Sequence, residues 1–316
     1  MITKEAKTKN KHTKQLYFAT SARMTFSHML KHIFRKSDKK ILMPAYIGET
    51  DEEGSGVFDP VRENKVPFEF YRIRKDLSAD PHDLKSKIAS GNFKAVVVIH
   101  YFGFVKNDLS EIQSLCKTHN VILIEDCAHS FHSVYNGGKV GTWGDLAFFS
   151  MHKVIATPDG GYFKINNNNT GVPGIFFNDE YLPSGTFEEF IRTDFDTVNR
   201  IRIQNFKRYL NNWKDIRGVD PLYSELPDGI IPLNFPIIVQ NGHREKLYFK
   251  LVDKGIIPVS SYYRLIYEIK RELYPVSYEV SASILNLPVH QDTTFEDIDR
   301  ILSQLKESML EIYNKA

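Results

Sequence analysis

The sequence predicts an α/β protein, a mostly parallel sheet between helices with a smaller α+β unit behind it. Three observations point there. Apolar runs in the first half are continuous rather than alternating, as in strands buried on both faces: KKILMPAY, KAVVVIHYFG, VILIED and GDLAFFS. Stretches with helical spacing separate them. Polar groups then follow the apolar runs, at the strand ends where ligands of such sheets bind: His100 and Tyr101 after VVVI, Glu125 and Asp126 after VILI, Ser150 and Lys153 after LAFF.

The elements follow in order. TSARMTFSHMLKHIFRK places Met24, Phe26, Met29, Leu30 and Ile33 near helical spacing behind the capping pair Thr20-Ser21. KKILMPAY is a short strand ended by Pro44, and PFEFYRI is another. DPHDLKSKIAS is a helix with Pro81 in its first turn. KAVVVIHYFG is the most hydrophobic strand; NDLSEIQSLCKTHN is a helix, and VILIED, GDLAFFS and GGYFKI are strands. NNNNTGVPG reads as a surface loop and EEGSGVFD as a turn. Beyond it, Ser184 to Trp213 is helical and charged, GIIPLNFPIIV is a strand, NGHREKLYFKLVDKG is a helix closed by Gly255, and TTFEDIDRILSQLKESMLEIY is a terminal amphipathic helix. The expected organisation is a flexible basic tail over 1–14, a large unit over 15–183 and a small unit over 184–316.

Composition narrows the function classes. The 316 residues are 42% apolar and 25% charged, with a net charge of +2, which gives no overall case for a nucleic-acid or membrane partner. Two cysteines, Cys116 and Cys127, exclude a disulfide framework and fit a reducing cytoplasm. No run approaches the roughly 18–20 apolar residues of a membrane span. The opening MITKEAKTKNKHTK lacks an apolar h-region and reads as a solvated tail rather than a secretory signal; its lysines leave an anionic partner as the alternative.

GxGxxG, Walker and GxSxG loops are absent. His129 and His132 stand at i,i+3 without a third ligand, so no metal site is read there. That leaves a lysine at the end of an apolar run, where an unpaired ammonium is costly. Each strand-end group alone has a bland reading: Asp126 a helix cap, Lys153 a surface lysine, Ser21 an N-cap. Together they match pyridoxal phosphate. That cofactor needs an amine, a carboxylate for its ring nitrogen, and a helix N-terminus with hydroxyls for its phosphate.

The stretch from VILIEDCAHSF through GGKVGTWGDLAFFSMHKVIATPDGGYFKI resembles the DegT/DnrJ-type sugar-nucleotide aminotransferases, fold-type-I pyridoxal-phosphate enzymes. TSARMTFSHML resembles their phosphate helix, KAVVVIHYFGF their His-x-x-Gly strand end, and ILNLPVHQDTTFEDIDRIL their Leu-Pro-hydrophobic-His segment; the similarity spans about residues 15 to 310. The resemblance implies a role for each matching residue. Lys153 is the amine that condenses with the cofactor, and Asp126 pairs with the pyridine nitrogen. His129 stands near the ring oxygen or substrate. Ser150 and Ser21, with the N–H groups of Ala22 and Arg23, hold the phosphate, and Tyr46 stacks on the ring. His100, Tyr101, Tyr263 and Arg264 are expected substrate contacts.

The sequence departs from the family in three ways. The loop before Lys153 is two residues shorter than usual, Ala22 replaces a glycine, and the Asn-x-Arg-Met segment that reaches the neighbouring subunit is not evident, with Asn199 and Asn205 as stand-ins. The implied activity moves an amino group from an amino acid, glutamate in most relatives, to a nucleotide-linked keto-sugar in a homodimer. His152 beside Lys153 keeps open a keto-sugar dehydratase, since some relatives carry histidine for the lysine. A non-catalytic nucleotide-sugar-binding descendant also stays open.

Overall fold

The computed structural model describes residues 16–174, 182–259 and 262–314; the expected basic tail over 1–14 lies outside them. Along the chain run β1 (Leu16–Ala19), α1 (Ala22–Ile33), β2 (Lys40–Pro44), α2 (Asp59–Glu63), β3 (Phe68–Tyr71), α3 (Pro81–Ala89) and β4 (Phe93–Ile99). A single 3-10 turn, Tyr101–Gly103, follows, then α4 (Leu109–His119), β5 (Ile122–Asp126), the short hairpin β6 (Val134–Tyr135) and β7 (Gly138–Lys139), β8 (Leu146–Ser150) and β9 (Gly161–Ile165). The second half holds α5 (Ser184–Arg192), α6 (Phe195–Asn212), β10 (Val219–Pro221), β11 (Asn234–Val239), α7 (Arg244–Asp253), α8 (Pro275–Ser283), β12 (Ile284–Pro288) and α9 (Phe295–Asn314).

Seven strands form the main sheet in the order β1-β9-β8-β5-β4-β2-β3. The five strands from β8 to β3 are parallel, β9 runs antiparallel to β8, and β1 antiparallel to β9. The apolar runs Ile41–Met43, Ala95–Val98 and Ala147–Phe149 are buried throughout, as a sheet covered on both faces requires. Asp80 and Asp108 cap α3 and α4 by accepting backbone N–H groups of the first turn, so the polar residue before each helical stretch sets its start.

In the second half, β10, β11 and β12 form an antiparallel sheet. Helix α9 buries Ile298, Ile301, Leu302, Leu305, Met309 and Ile312. One apolar core runs from Phe26 to Ile312 and joins the two halves. Phe104, after the 3-10 turn, packs between Phe206 (5.4 Å) and Tyr223 (4.1 Å). Helix α5 and the start of α6 pack on the main sheet: Phe190 and Phe195 join Phe131 and Tyr162 in a second cluster. The Asn-rich stretch is tied down, since Asn166 donates to the carbonyls of Gly141 and Gly144 and Asn167 to Asp145.

Candidate active site

Strand parity sorts the polar residues at the parallel strand ends. Consecutive residues of a strand point to opposite faces, and residues paired in register share one. Asp126 pairs with Ile99 and Phe148, so Asp126, Phe148 and Ser150 share a face; Glu125 pairs with Val98 and Ala147 and takes the other. His100, two residues past Val98, follows Glu125. Its Nε2 lies 3.1 Å from Glu125 Oε2, and both side chains are fully buried. The structure therefore does not bring His100 to the substrate side, contrary to the expectation from its position alone.

Glu125 is a structural carboxylate. Oε1 accepts the N–H groups of Trp143 (2.8 Å) and Gly144 (2.6 Å), and Oε2 accepts that of Gly141 (2.9 Å) besides facing His100. Burial acts to raise its pKa; the His100 hydrogen bond and charge and the N–H groups of Gly144 and Gly141 outweigh it and hold the carboxyl below its ordinary value. One polar atom each of His100, Glu125 and Cys127 lies within 4.8 Å of the others, but the Glu125 oxygens are already engaged. His132, the other half of the i,i+3 pair, meets Asn199 Nδ2 through Nδ1 at 3.0 Å.

On the Asp126 face, α1 begins where β1 and β9 meet. Ser21 caps it by accepting the Met24 N–H at 3.1 Å, and Thr25 N–H bonds the Ser21 carbonyl. The N–H groups of Ala22 and Arg23 meet no described acceptor, leaving two donors and the positive end of a 12-residue helix for an anion. Gly161, paired with Ser150, passes directly beneath: a Cβ there would stand 2.4 Å from Ala22 N and Ser21 C. Phe26 stacks on Phe148 (4.9 Å), fixing α1 to this face. The Arg23 side chain turns away to the Glu53 carbonyl and to Asp59, 3.5 Å off. Ser150 Oγ lies 3.3 Å from His152 Nδ1, so the helix N-terminus, two serine hydroxyls and an imidazole gather at one corner.

Lys153 lies in the turn after β8, closed by Val154 and Ile155 N–H groups on the Met151 carbonyl. Its Nζ sits 2.8 Å from His129 Nε2, and His129 Nδ1 accepts the Phe102 N–H at 3.2 Å. Burial lowers the Lys153 pKa, with Asp126 and Glu53 acting against it; burial and then the Lys153 charge push that of His129 well down. Asp126 is buried, and its Oδ1 accepts the Ala128 N–H at 2.9 Å. Burial raises its pKa, opposed by the Ala128 N–H and the charges of Lys153 and His100. The structure thus brings Lys153, His129 and Asp126 into one electrostatically coupled group beyond the C-terminal ends of β5 and β8.

Tyr46 is fully buried beside this group, and Tyr262 stacks on it at 5.2 Å and 11°. Tyr262 also meets the edges of Tyr101 (5.4 Å), Phe102 (5.7 Å) and His129 (5.8 Å). It adopts a left-handed φ of 64°, and its Cα lies 3.3 Å from where a Cβ on Gly48 would stand. Tyr101 is buried and donates its hydroxyl to the Tyr46 carbonyl at 2.5 Å, a supporting contact. The sequence reading selected Tyr263 and Arg264; the structure does not bring either into the group. Tyr263 is 38% exposed beneath Arg244, and Arg264 bonds Asp51 (2.5 Å). Tyr262, one residue earlier, is the one that enters.

Sequence reasoning also passed over Arg202. Buried on α6, it donates to the carbonyls of Lys153 and Leu233 (3.3 Å each) and to Gln291 Oε1 (3.2 Å); burial pulls its pKa to about 10. Asn205 spends its amide on the carbonyls of Val289, His290 and Thr293, at 3.3, 3.2 and 2.9 Å. As placed, it braces its own chain.

These residues fit pyridoxal phosphate in kind. Unpartnered N–H donors at α1 suit a phosphate, Asp126 Oδ2 takes no hydrogen bond from the described residues, and Lys153 presents an amine beside His129. Tyr262 covers one face of Tyr46, so a ring stacking on that face has to displace that phenol.

Comparison with known proteins bears on the same residues. Positions 70–171 match the DegT/DnrJ/EryC1/StrS aminotransferase family. The chain is 36% identical over 96 residues to GDP-perosamine synthase of Vibrio cholerae, a match covering 30% of this chain and 26% of that one. The chain thus spans about a quarter of the length of that curated relative. It is 25% identical over 253 residues to dTDP-3-amino-3,6-dideoxy-alpha-D-galactopyranose transaminase of Aneurinibacillus thermoaerophilus, covering 71% and 67% of the two chains. The crystal structure of the aminotransferase TlmJ from Streptoalloteichus hindustanus aligns with a TM-score of 0.80 at 18% identity, over 95% of this chain and 87% of that one. Other structural neighbours were solved in PLP and PMP forms. At these identities the structural likeness is one of fold, and the fold is that of the fold-type-I aminotransferases.

Proposed function

We propose that this chain, which carries a DegT/DnrJ/EryC1/StrS aminotransferase family domain, is a pyridoxal-phosphate-dependent aminotransferase of nucleotide-linked keto-sugars. The observation that carries the reading is the Lys153 amine held 2.8 Å from His129, three residues beyond the buried Asp126 at the C-terminal end of β5, with the Lys153 and Asp126 charges acting on each other. Pyridoxal phosphate, when bound, supplies an aldehyde that holds amino groups and an aromatic ring that accepts electrons. Asp126 Oδ2 would keep the ring nitrogen protonated, and the N–H groups of Ala22 and Arg23 with the Ser21 and Ser150 hydroxyls would hold the phosphate. Lys153 Nζ would take the proton from Cα of the amino donor as general base and give it back as general acid. In the second half-reaction the same amine carries protons in the reverse order, onto the carbon of the sugar that receives nitrogen. His129 and Asp126 are buried and Lys153 is half-buried, which limits the water that reaches these proton movements.

The donor is an amino acid, glutamate on the strength of the resemblance, and the acceptor a nucleotide keto-deoxysugar; the nucleotide-linked amino sugars in the relatives' names support the acceptor class. The proposal includes a cytoplasmic homodimer that works in glycan biosynthesis. No helix among the described residues is long and apolar enough to cross a membrane. Protein loaded with pyridoxal phosphate should yield 2-oxoglutarate and an amino-sugar from glutamate and a nucleotide keto-sugar, with the absorbance of the aldehyde form cycling. Loss of water from the sugar without amine formation would favour the dehydratase instead. Absence of any chromophore would favour the binding-only descendant.

A further inference from the structure

We propose that His129 holds Lys153 as a free amine, because the Phe102 backbone N–H fixes the imidazole in a tautomer that can only donate to the lysine. The inference rests on the proposed role of Lys153 and adds how its amine is made ready. A backbone N–H only donates, so the Nδ1 that receives it at 3.2 Å carries a lone pair. A neutral imidazole with a bare Nδ1 carries its hydrogen on Nε2. That Nε2–H points at Lys153 Nζ, 2.8 Å away. An ammonium has three donors and no acceptor, so the contact requires the amine form.

The aim of the Phe102 amide is itself fixed. Phe102 takes a left-handed conformation (φ 56°, ψ 18°) inside the 3-10 turn, unusual for a bulky residue. The Leu233 N–H holds its carbonyl at 2.8 Å, and its ring lies at 25° to the imidazole plane. Gly103 next to it packs so closely that a Cβ would stand 2.2 Å from the Ile231 carbonyl oxygen. The turn therefore cannot rotate to present a carbonyl to His129 without breaking its seat on the segment leading into β11.

Charged neighbours are distributed on both sides of the balance. Asp126 on β5 and Glu53 in the 51–54 turn favour the ammonium. Burial favours the amine, Lys153 and His152 interact unfavourably when both are charged, and the Arg202 guanidinium reaches the Lys153 carbonyl. The downward direction of the Lys153 pKa agrees with the hydrogen-bond geometry. Once it leaves the Nε2–H, the lone pair of the neutral amine can attack an aldehyde carbon directly: the C–N bond forms, and the carbonyl oxygen leaves as water with the two amine protons.

The test uses the full chain free of cofactor and a phosphate-free aromatic aldehyde, salicylaldehyde, trapped with cyanoborohydride from pH 6 to 10. Peptide mass spectrometry reads the adduct at each lysine. Lys153 should react at a nearly constant rate down to about pH 7, where an ordinary lysine loses about tenfold per pH unit. His129→Leu should slow Lys153 about two- to fivefold at pH 7 by raising its midpoint about one unit, and His129→Gln, which keeps a donor, should restore most of the rate. Long-range nitrogen–proton spectra of the wild-type histidines should show His129 neutral with hydrogen on Nε2, a readout independent of any variant's folding. A Lys153 profile like that of surface lysines, an Nδ1–H tautomer, or an unchanged profile in His129→Leu would overturn the proposal. A flat Lys153 profile in a chain that transfers no amine would support the lock while sinking the proposed function.

Discussion

Glutamine at position 125 separates the two neighbouring carboxylates. Glu125 takes three backbone N–H groups, from Trp143, Gly144 and Gly141, and faces His100. Glu125→Gln keeps one oxygen, which can hold the Trp143 and Gly144 pair. Each of those bonds then loses its charge assistance, about 1 kcal/mol apiece. The new NH2 faces the Gly141 N–H, and an unpaired buried donor costs about 1–3 kcal/mol. His100 can change tautomer and adds little. The sum is about 3–5 kcal/mol. Asp126→Asn should cost under about 1 kcal/mol, since Asp126 accepts one hydrogen bond, from the Ala128 N–H, and its burial disfavours the charge. Urea unfolding followed by tryptophan fluorescence and circular dichroism measures both. The Glu125 loss also depends on pH with a definite sign. Its folded pKa is depressed, so its stabilisation is present above the unfolded carboxyl value of about 4.3 and disappears as pH falls through the lower folded value. The two variants should thus converge in stability under acid. A Glu125→Gln chain as stable as wild type, or an Asp126→Asn chain equally damaged, would refute the division of labour between the two residues.

Other substitutions probe the rest of the site. Gly161→Ala drives a Cβ to 2.4 Å from the backbone of Ser21 and Ala22, so it should cost about 1–3 kcal/mol and weaken pyridoxal phosphate binding by shifting the helix N-terminus; thermal melts and cofactor titration check both. Tyr262→Ala removes the ring stacked on Tyr46, and because such a pair is worth about 0.5–1.5 kcal/mol beyond burial, it should tighten pyridoxal phosphate binding about two- to tenfold by absorbance titration. Unchanged or weaker binding would mean that the phenol is not in the ring's way. Asn205→Ala strips the donor from three carbonyls and should cost about 2–4 kcal/mol in urea unfolding while leaving cofactor affinity within twofold; a large affinity loss would point instead to a direct role in the site.

The parallel strands were legible because burial on both faces leaves a continuous apolar run, as in Ala95–Ile99 and Leu146–Phe149. Helix starts were legible at Asp80, Asp108 and Ser21, where a short side chain accepts first-turn N–H groups. β1 was not: Leu16–Ala19 is a four-residue edge strand whose exposed and buried positions carry no contrast. β12 was read only as a likeness to a family segment, since Ile284–Pro288 is too short to distinguish from the helical stretch before it. In the site, sequence order placed Asp126, Ser150, Lys153 and the α1 N-terminus near strand ends. It could not resolve parity, which sends His100 to the Glu125 side. Nor could it choose between Tyr262 and Tyr263, because the choice depends on a left-handed φ that no local residue pattern demands. Arg202 escaped notice because a buried arginine that serves backbone carbonyls looks, in sequence, like any charged residue of an amphipathic helix.

The most direct measurement is borohydride reduction of the protein loaded with pyridoxal phosphate, followed by peptide mapping of wild type, Lys153→Ala and Asp126→Asn. One pyridoxyl group should be fixed on Lys153 in wild type and none in Lys153→Ala. In Asp126→Asn attachment should stay at Lys153 with an altered absorption band, because the ring nitrogen has lost its carboxylate. A pyridoxyl group on another lysine in wild type, or a spectrum indifferent to Asp126, would contradict the claim that this amine and this carboxylate serve one ring.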